Sequence, residues 1–447
     1  MTIKDEGAHG RHGVRQVVTR LGWGVADQGI SSISNFALGL FVARTLGASG
    51  FGAFTLAFVT YTVAMNAARG LATDPFLVRY SGDETSRWRQ ATSSVTGTAL
   101  SVGLAVGLVC VLAGLALPDP LGPVFVALGI GLPGIILQDS YRFAFFACGR
   151  GSYAFVNDLF WSVLLVGVLI ALHFGGHIDG SRCMLAFGVT ATLAAGLGAL
   201  QARAIPRPDR SAEWLRTHRH LSLRYLVENV SISGASQIRY FVLGAVANLA
   251  AAGYVRASEI MMGPFLVVVM GISQVAVPEA SRVLHRDSYR LRRFCLVLGG
   301  VQAIGAVAWG IVLLTIFPLG PGPALLKELW GPAEKLLPAV TLMVAAVGVV
   351  NAAAAGLRAM GVARRSLRAQ LTASAAYVLC ASVGAVLGGA LGASWGVAAA
   401  QTFSAAVWWY HLRAALAEHQ AGAVATAGTA IEYIRNIETL TERTGTP

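Results

Sequence analysis

Asp27, Gln28, Ser31 and Asn35 share one side of a helix, within about a 100° arc, while the opposite side is apolar. Such a face can bind an ion, line a watery cavity or hold a neighbouring helix. Arg69 and Asp74 stand near the end of the next apolar stretch. Asp27 and Arg69 are expected at similar depth on consecutive antiparallel helices, either as a structural ion pair or as a cavity wall. Gln138, Asp139 and Arg142 precede the short turn CGRGS, and Asn157 and Asp158 follow it. The turn brings these helices side by side, so Asp139, Arg142 and Asp158 read as a structural polar clamp. Arg224, Glu228 and Arg239 lie within about 60° of one another on a further helix, beside a stripe of Asn229, Ser233, Ser236 and Tyr240. Arg224 can reach the interface by extending its stem. Arg239 is too deep for that, and is either a cavity cation or the partner of a buried carboxylate. Arg256 and Glu259, three residues apart, can satisfy each other. Asp27 and Glu228 are the acids placed for ion coupling.

These side chains matter because of where they sit. The chain has 447 residues, 55% hydrophobic and only 13% charged. A soluble domain carries about 25% charged residues. The reading is an all-α polytopic membrane protein. Twelve stretches are long enough to span a bilayer core of about 30 Å: 22–44, 52–75, 91–116, 122–147, 153–173, 182–201, 223–247, 252–279, 293–318, 333–357, 368–389 and 392–415. Pro133 and Pro264 lie inside two of them and are expected to bend them.

The excess of 34 basic over 22 acidic residues gives +12, which in such a chain marks loops on the cytoplasmic side rather than a nucleic-acid partner. Basic residues gather in alternate connections. Lys4, Arg11, Arg15 and Arg20 precede the first span; Arg79, Arg87 and Arg89 follow the second; Arg203, Arg207, Arg210, Arg216 and Arg219 follow the sixth. The eighth-to-ninth connection, from Arg282 through Arg286 to Arg293, and the tenth-to-eleventh, from Arg358 to Arg368, continue the pattern. Both termini are therefore expected on the cytoplasmic side; arginine far outnumbering lysine and abundant alanine suggest a bacterial source, and hence the plasma (inner) membrane. The organisation expected is an N-terminal segment 1–21, an N-lobe of six helices 22–201, a basic linker 202–222, a C-lobe of six helices 223–415 and a polar cytoplasmic tail 416–447 containing Glu432, Arg435 and Glu438. Trp408-Trp409-Tyr410 is expected in an interfacial aromatic belt.

Weak internal matches support two lobes. Phe41-Val42 matches Phe241-Val242, Gly52 matches Gly253, Pro75-x-x-x-Arg79 matches Pro278-x-x-x-Arg282, and Ala147-x-Gly149 matches Ala359-x-Gly361. The offsets run from 200 to 212 in consistent order. Both halves start on the same side, so the repeat is parallel. No Gly-rich phosphate loop, no HExxH and no metal-spaced His/Cys group occurs, and the five cysteines are scattered. No cofactor, metal or enzymatic activity is expected.

The segments LFVARTLGASGFGAFTLAF (40–58), GLATDPFLVRY (70–80), LQDSYRFAFFACGRGSYAFVNDLFW (137–161) and FVLGAVANLAAAGYVRASEIMMGPFLVVVMGISQVAVPEASR (241–282) resemble the corresponding regions of Wzx-type polysaccharide flippases. Those belong to the multidrug/oligosaccharidyl-lipid/polysaccharide exporter superfamily. The resemblance implies twelve helices in two six-helix lobes around a central cavity lined by helices 1, 2, 7 and 8, opened to either side by alternating access. It implies a polyprenyl-pyrophosphate-linked oligosaccharide as substrate, for cell-surface polysaccharide assembly. The bilayer is then a partner, with pathway glycosyltransferases or polymerase as further ones. Arg239 and Arg256 become candidate contacts to pyrophosphate, with Gln28 and Asn35 on the cavity wall. Two alternatives stay open: an ion-coupled drug or cation antiporter of the same superfamily, and a non-transporting scaffold for cell-wall glycosyltransferases. A major-facilitator protein is disfavoured, because SGDETSRWRQ lacks that family's second-to-third loop pattern.

Overall fold

The computed structural model describes the backbone of residues 6–81, 85–286 and 288–444. Side chains are described over 22–421 except 25, 82–84, 232, 235–236, 274–275, 278, 285–289 and 363. Lys4, Arg11, Arg15, Arg20, Ser236, Pro278, Arg286, Glu432, Arg435 and Glu438 thus lie outside the described side chains.

All regular structure among the described residues is helical: twelve long helices, with short helical turns at Pro208–Arg210 and between Phe317 and Glu334. The long helices are α1 (Glu6–Thr45), α2 (Ala48–Tyr80), α3 (Thr85–Ala116), α4 (Leu121–Ala147), α5 (Gly151–Phe174), α6 (Gly180–Ala202), α7 (Ser211–Val246), α8 (Leu249–Arg286), α9 (Ser288–Thr315), α10 (Leu337–Ala359), α11 (363–387) and α12 (390–444). The last two run together except at Gly388 and Gly389, where φ is −144° and +55°. Nine stretches among the described residues are long and apolar enough to cross a membrane, the longest, Arg364–Ala421, covering both α11 and most of α12. The chain is a multi-pass membrane protein. α1 and α7 fall outside that set because polar residues dilute them.

Each expected span contains the core of one helix, and the differences lie at the ends. α7 begins at Ser211, so most of the 202–222 connection is helix. Trp214 and His218 are buried there, their rings 4.1 Å apart, against Tyr80 of α2. α12 continues to Thr444, through the expected tail. Trp408 is 2% exposed and belongs to the core; the aromatic belt fits Tyr410 alone, which is 69% exposed. A helix buries every third or fourth residue, so three consecutive aromatics cannot share one interface. α4 and α8 remain helical through Pro133 and Pro264.

Two of the repeated sequence matches coincide with repeated geometry. Gly149 and Gly361 both take φ near +70° (71° and 69°) just after α4 and α10. The following N–H then turns back on the helix, Arg150 to Phe145 O at 2.8 Å and Val362 to Leu357 O at 3.3 Å. A left-handed residue is what this helix ending requires, and glycine supplies it without a Cβ penalty. Gly52 and Gly253 meet each other. A Cβ on Gly52 would lie 1.8 Å from Leu249 O, and one on Gly253 would lie 2.8 Å from Ala48 O. Residue 48 corresponds to 249 and 52 to 253 at one offset, so the contact is reciprocal, as across a two-fold axis.

The chain has two compact units: Met1–Gly263 with Val312–Leu337 and Ala381–Gly396, and Pro264–Ile311 with Pro338–Cys380 and Val397–Pro447. The division falls inside α8 because α7 packs closely on α2; a Cβ on Gly70 would lie 2.6 Å from Leu226 N. The second unit has an apolar core of Leu291, Cys295, Ala353, Leu357, Trp408 and Leu412, with few buried charges. Trp409 donates its indole N–H to Val349 O at 3.2 Å, and Asn351 donates to Ser273 Oγ at 3.3 Å.

Candidate functional site

Two groups of buried charge occur in the first unit. The larger is built by α1, α2, α4 and α5. On α4, Gln138, Asp139 and Arg142 share a face by i, i+3 and i+4 spacing. The Gly149 turn returns the chain, so Asp158 on α5 faces Arg142, with Nε to Oδ2 at 3.2 Å. Arg142 also donates from Nε to Asp27 Oδ2 on α1 at 2.7 Å, and lies 3.9 Å from Asp139. Arg69 forms a two-pronged pair with Asp139, both bonds 2.7 Å, and stacks over Phe143 at 4.8 Å.

The expected Asp27–Arg69 pair is therefore replaced by Asp27–Arg142 and Arg69–Asp139. The reason is lateral packing. α1 lies along α5, where Ser34 donates to Ser162 Oγ at 2.7 Å, and the π-helical turn Arg69–Thr73 of α2 presents Arg69 to α4. Asp74 instead accepts from Asn229 of α7 at 2.7 Å. The widened turn leaves the Leu71 carbonyl to Ser222, which donates at 2.9 Å. Part of the α7 polar stripe, Asn229 and Ser233, thus docks on α2.

Gln138 donates to Asp158 Oδ1 at 2.7 Å and Asn157 to Ala194 O at 2.8 Å, fixing α5 to α4 and α6. A cavity of about 210 Å³ borders the group, lined by Gln28, Asn35, Tyr61, Arg69, Arg142 and Trp161. Tyr61 and Trp161 escaped the sequence reading. Tyr61, Met65 and Arg69 recur at intervals of four along α2, a signal that was available.

The charges do not balance. Asp27, Asp139 and Asp158 face Arg69 and Arg142: three carboxylates against two guanidiniums. Asp27 is fully buried, and its Oδ1 has no partner. A surplus negative charge in a low-dielectric site calls for a proton or a small cation. Among the described residues no group of His, Cys, Asp or Glu is arranged to hold a metal ion.

The second group joins α7 and α8. Arg239 donates to Glu259 Oε1, and Tyr240 donates its hydroxyl to Oε2. Arg239 is 7% exposed. It is thus partner to a buried carboxylate rather than an open cavity cation. The helices meet at a tight turn, Asn248 N–H to Leu243 O at 3.1 Å, which places residues 239 and 259 side by side. Arg256 approaches Glu259 only to 3.9 Å, stacks over Phe58 at 5.4 Å and is 31% exposed along its side chain. Glu259 is therefore satisfied mainly from α7, not by Arg256. Here two cations face one acid. Arg224 and Glu228 stand exposed, and among the described residues neither makes an ion pair, so the structure does not bring Glu228 to either group.

No protein-family model matches the chain, and no curated protein matches it in sequence. Solved structures do match it in fold. The inward-facing conformation of a multidrug resistance MATE family transporter of the MOP superfamily aligns with TM-score 0.65 at 14% identity, over 87% of this chain and 95% of that one. The outward-facing conformation of such a transporter gives 0.55 at 16%, over 88% and 94%. A MOP superfamily transporter from Pyrococcus furiosus, described as having a binding pocket of reverse polarity that suggests a different function, gives 0.57 at 14%, over 90% and 95%. At these identities the likeness establishes a shared twelve-helix, two-lobe fold.

Proposed function

We propose, from this MATE-type fold, that the protein is an alternating-access transporter that moves a polyprenyl-pyrophosphate-linked oligosaccharide across the bacterial plasma membrane for cell-surface polysaccharide assembly. One observation carries the substrate class: the cation surplus of the α7–α8 group, with Arg256 open on one side. A pyrophosphate needs charge-assisted donors, and a guanidinium only weakly engaged by its own carboxylate can supply them. The Pyrococcus protein supports reading function from pocket polarity within this fold. Both termini then face the cytoplasm, and pathway glycosyltransferases or a polymerase are the partners.

The test is flipping of a labelled polyprenyl-pyrophosphate sugar in proteoliposomes. Arg256→Ala should lower flipping at least 10-fold with an unchanged melting midpoint, and Arg256→Lys should restore part, since Lys keeps charge without the fork. Full flipping by Arg256→Ala rejects the assignment.

A second reading, an ion-coupled drug or cation antiporter, is favoured by the acid surplus around Asp27. Asp27→Asn leaves two carboxylates against two guanidiniums, a matched set. It should therefore fold and lose dependence on a proton gradient. Uptake of an organic cation by wild-type vesicles, with no flipping of the sugar lipid, would establish this reading instead.

A further inference from the structure

A third concentration of charge lies at the end of the first unit where α6 ends and α7 begins, away from both groups above. A cavity of about 430 Å³ opens there, lined by Arg89, Arg203, Arg207 and Arg210 with Ser93 and Ile205. No carboxylate is among its described lining residues, and among the described residues none of the four arginines makes an ion pair, not even with Asp209 or Glu213 on the same stretch of chain. The Nε of Arg89 is buried without a partner. Four like charges around one concavity repel, and no ion pair among the described residues offsets them.

The backbone holding them is fixed. Arg203 closes α6 in the left-handed region at φ 51°. Tyr141 donates its hydroxyl to Ala204 O at 2.7 Å, and Arg207 donates its N–H to Ser93 O at 2.9 Å. Gly97 admits that strand of chain, since a Cβ there would lie 2.1 Å from Arg207 O. Beside the arginines, Leu200 and Ile205 are 77% and 78% exposed. Large apolar side chains that open next to a cationic hollow at the end of a spanning helix mark the boundary between acyl chains and headgroups.

We infer that this hollow binds the phosphate of an anionic membrane lipid, with its acyl chains along Leu200 and Ile205. The guanidiniums take the phosphate oxygens, and the exposed apolar side chains select a lipid over a free anion. This site is independent of the transported substrate.

The purified full chain in detergent is titrated with dioleoylphosphatidylglycerol or dioleoylphosphatidylcholine, and bound lipid is counted by native mass spectrometry. A parallel arm adds millimolar inorganic phosphate. The wild type should retain phosphatidylglycerol in preference to phosphatidylcholine, and phosphate should displace little of it. The double change Arg203→Gln with Arg207→Gln should weaken phosphatidylglycerol retention roughly 10- to 30-fold, from about 1 kcal/mol per arginine. The same charge removed at the exposed Arg292 and Arg293, by Arg292→Gln with Arg293→Gln, should change it less than about 3-fold. Melting midpoints check that both variants fold. No preference for phosphatidylglycerol, equal loss in the two double variants, or full displacement by inorganic phosphate would each overturn the inference.

Discussion

The acid-rich group of α1, α2, α4 and α5 and the cation-rich group of α7 and α8 use the same parts to opposite effect. Both tie a hairpin of helices together with arginine and carboxylate. One ends with a carboxylate too many and the other with a guanidinium too many. A matched buried pair needs nothing from outside; a surplus fixes the sign of what can be accepted. The two groups therefore carry surpluses of opposite sign, on different helices of one unit.

The sharpest way to break this contrast is Arg142→Leu. It strands Asp27 and Asp158 together, and should cost about 3–5 kcal/mol, the range for a broken buried pair. A melting midpoint in detergent close to the wild type would show that the group is wetter than its burial implies. Arg239→Leu should cost less, about 2 kcal/mol, because Arg256 is near enough to Glu259 to take over. Adding Glu259→Leu should return much of that loss, and failure to do so would place Arg239's role outside the pair. Asp27→Asn should move stability by under about 1 kcal/mol, since it brings the acid-rich group to balance. A larger drop would mean that Asp27 is structural, and the contrast would narrow to one site.

The smallest effect belongs to neither group and sets the background for pH experiments. Asp179 caps α6, its Oδ1 accepting from the Arg182 N–H at 2.8 Å. Partial burial pulls its carboxyl upward, but bonds from Ser181 and the Arg182 backbone, with the Arg182 guanidinium, outweigh this and hold it below the usual carboxylate range. The folded value being depressed, the cap's stability is complete above about pH 4 and is lost as pH falls through the lowered value. Asp179→Ala should cost about 0.5 kcal/mol, given its half-exposed side chain, and the cost should shrink at pH 3.

Helix number and the α4–α5 meeting were legible because both follow from chain order: apolar length fixes a span, and a short turn fixes which depths coincide. The same count would have found Arg239 and Glu259, which flank the α7–α8 turn at nearly equal distance. The choice of Arg142 for Asp27 was not legible, since it depends on α1 lying along α5, and nothing in succession along the chain states that. The arginine hollow was visible only as loop charge. Its concavity comes from Gly97 and Ser93 of α3 holding the 203–210 connection, a contact across more than 100 residues.

The Arg69–Asp139 and Asp27–Arg142 bonds span 70 and 115 residues. A ribosome adding about 5–20 residues per second takes roughly 4–14 s over the first stretch and 6–23 s over the second. Between the completion of α2 at Tyr80 and the start of α4 at Leu121, α1 and α2 are in place while α4 does not yet exist. Of the five charged groups, Asp27 and Arg69 are then the only two made, and they have opposite sign. The nascent chain can keep both neutral in lipid by pairing them with each other. When α4 arrives it carries Asp139 and Arg142 as a matched set, one new partner of the right sign for each waiting residue.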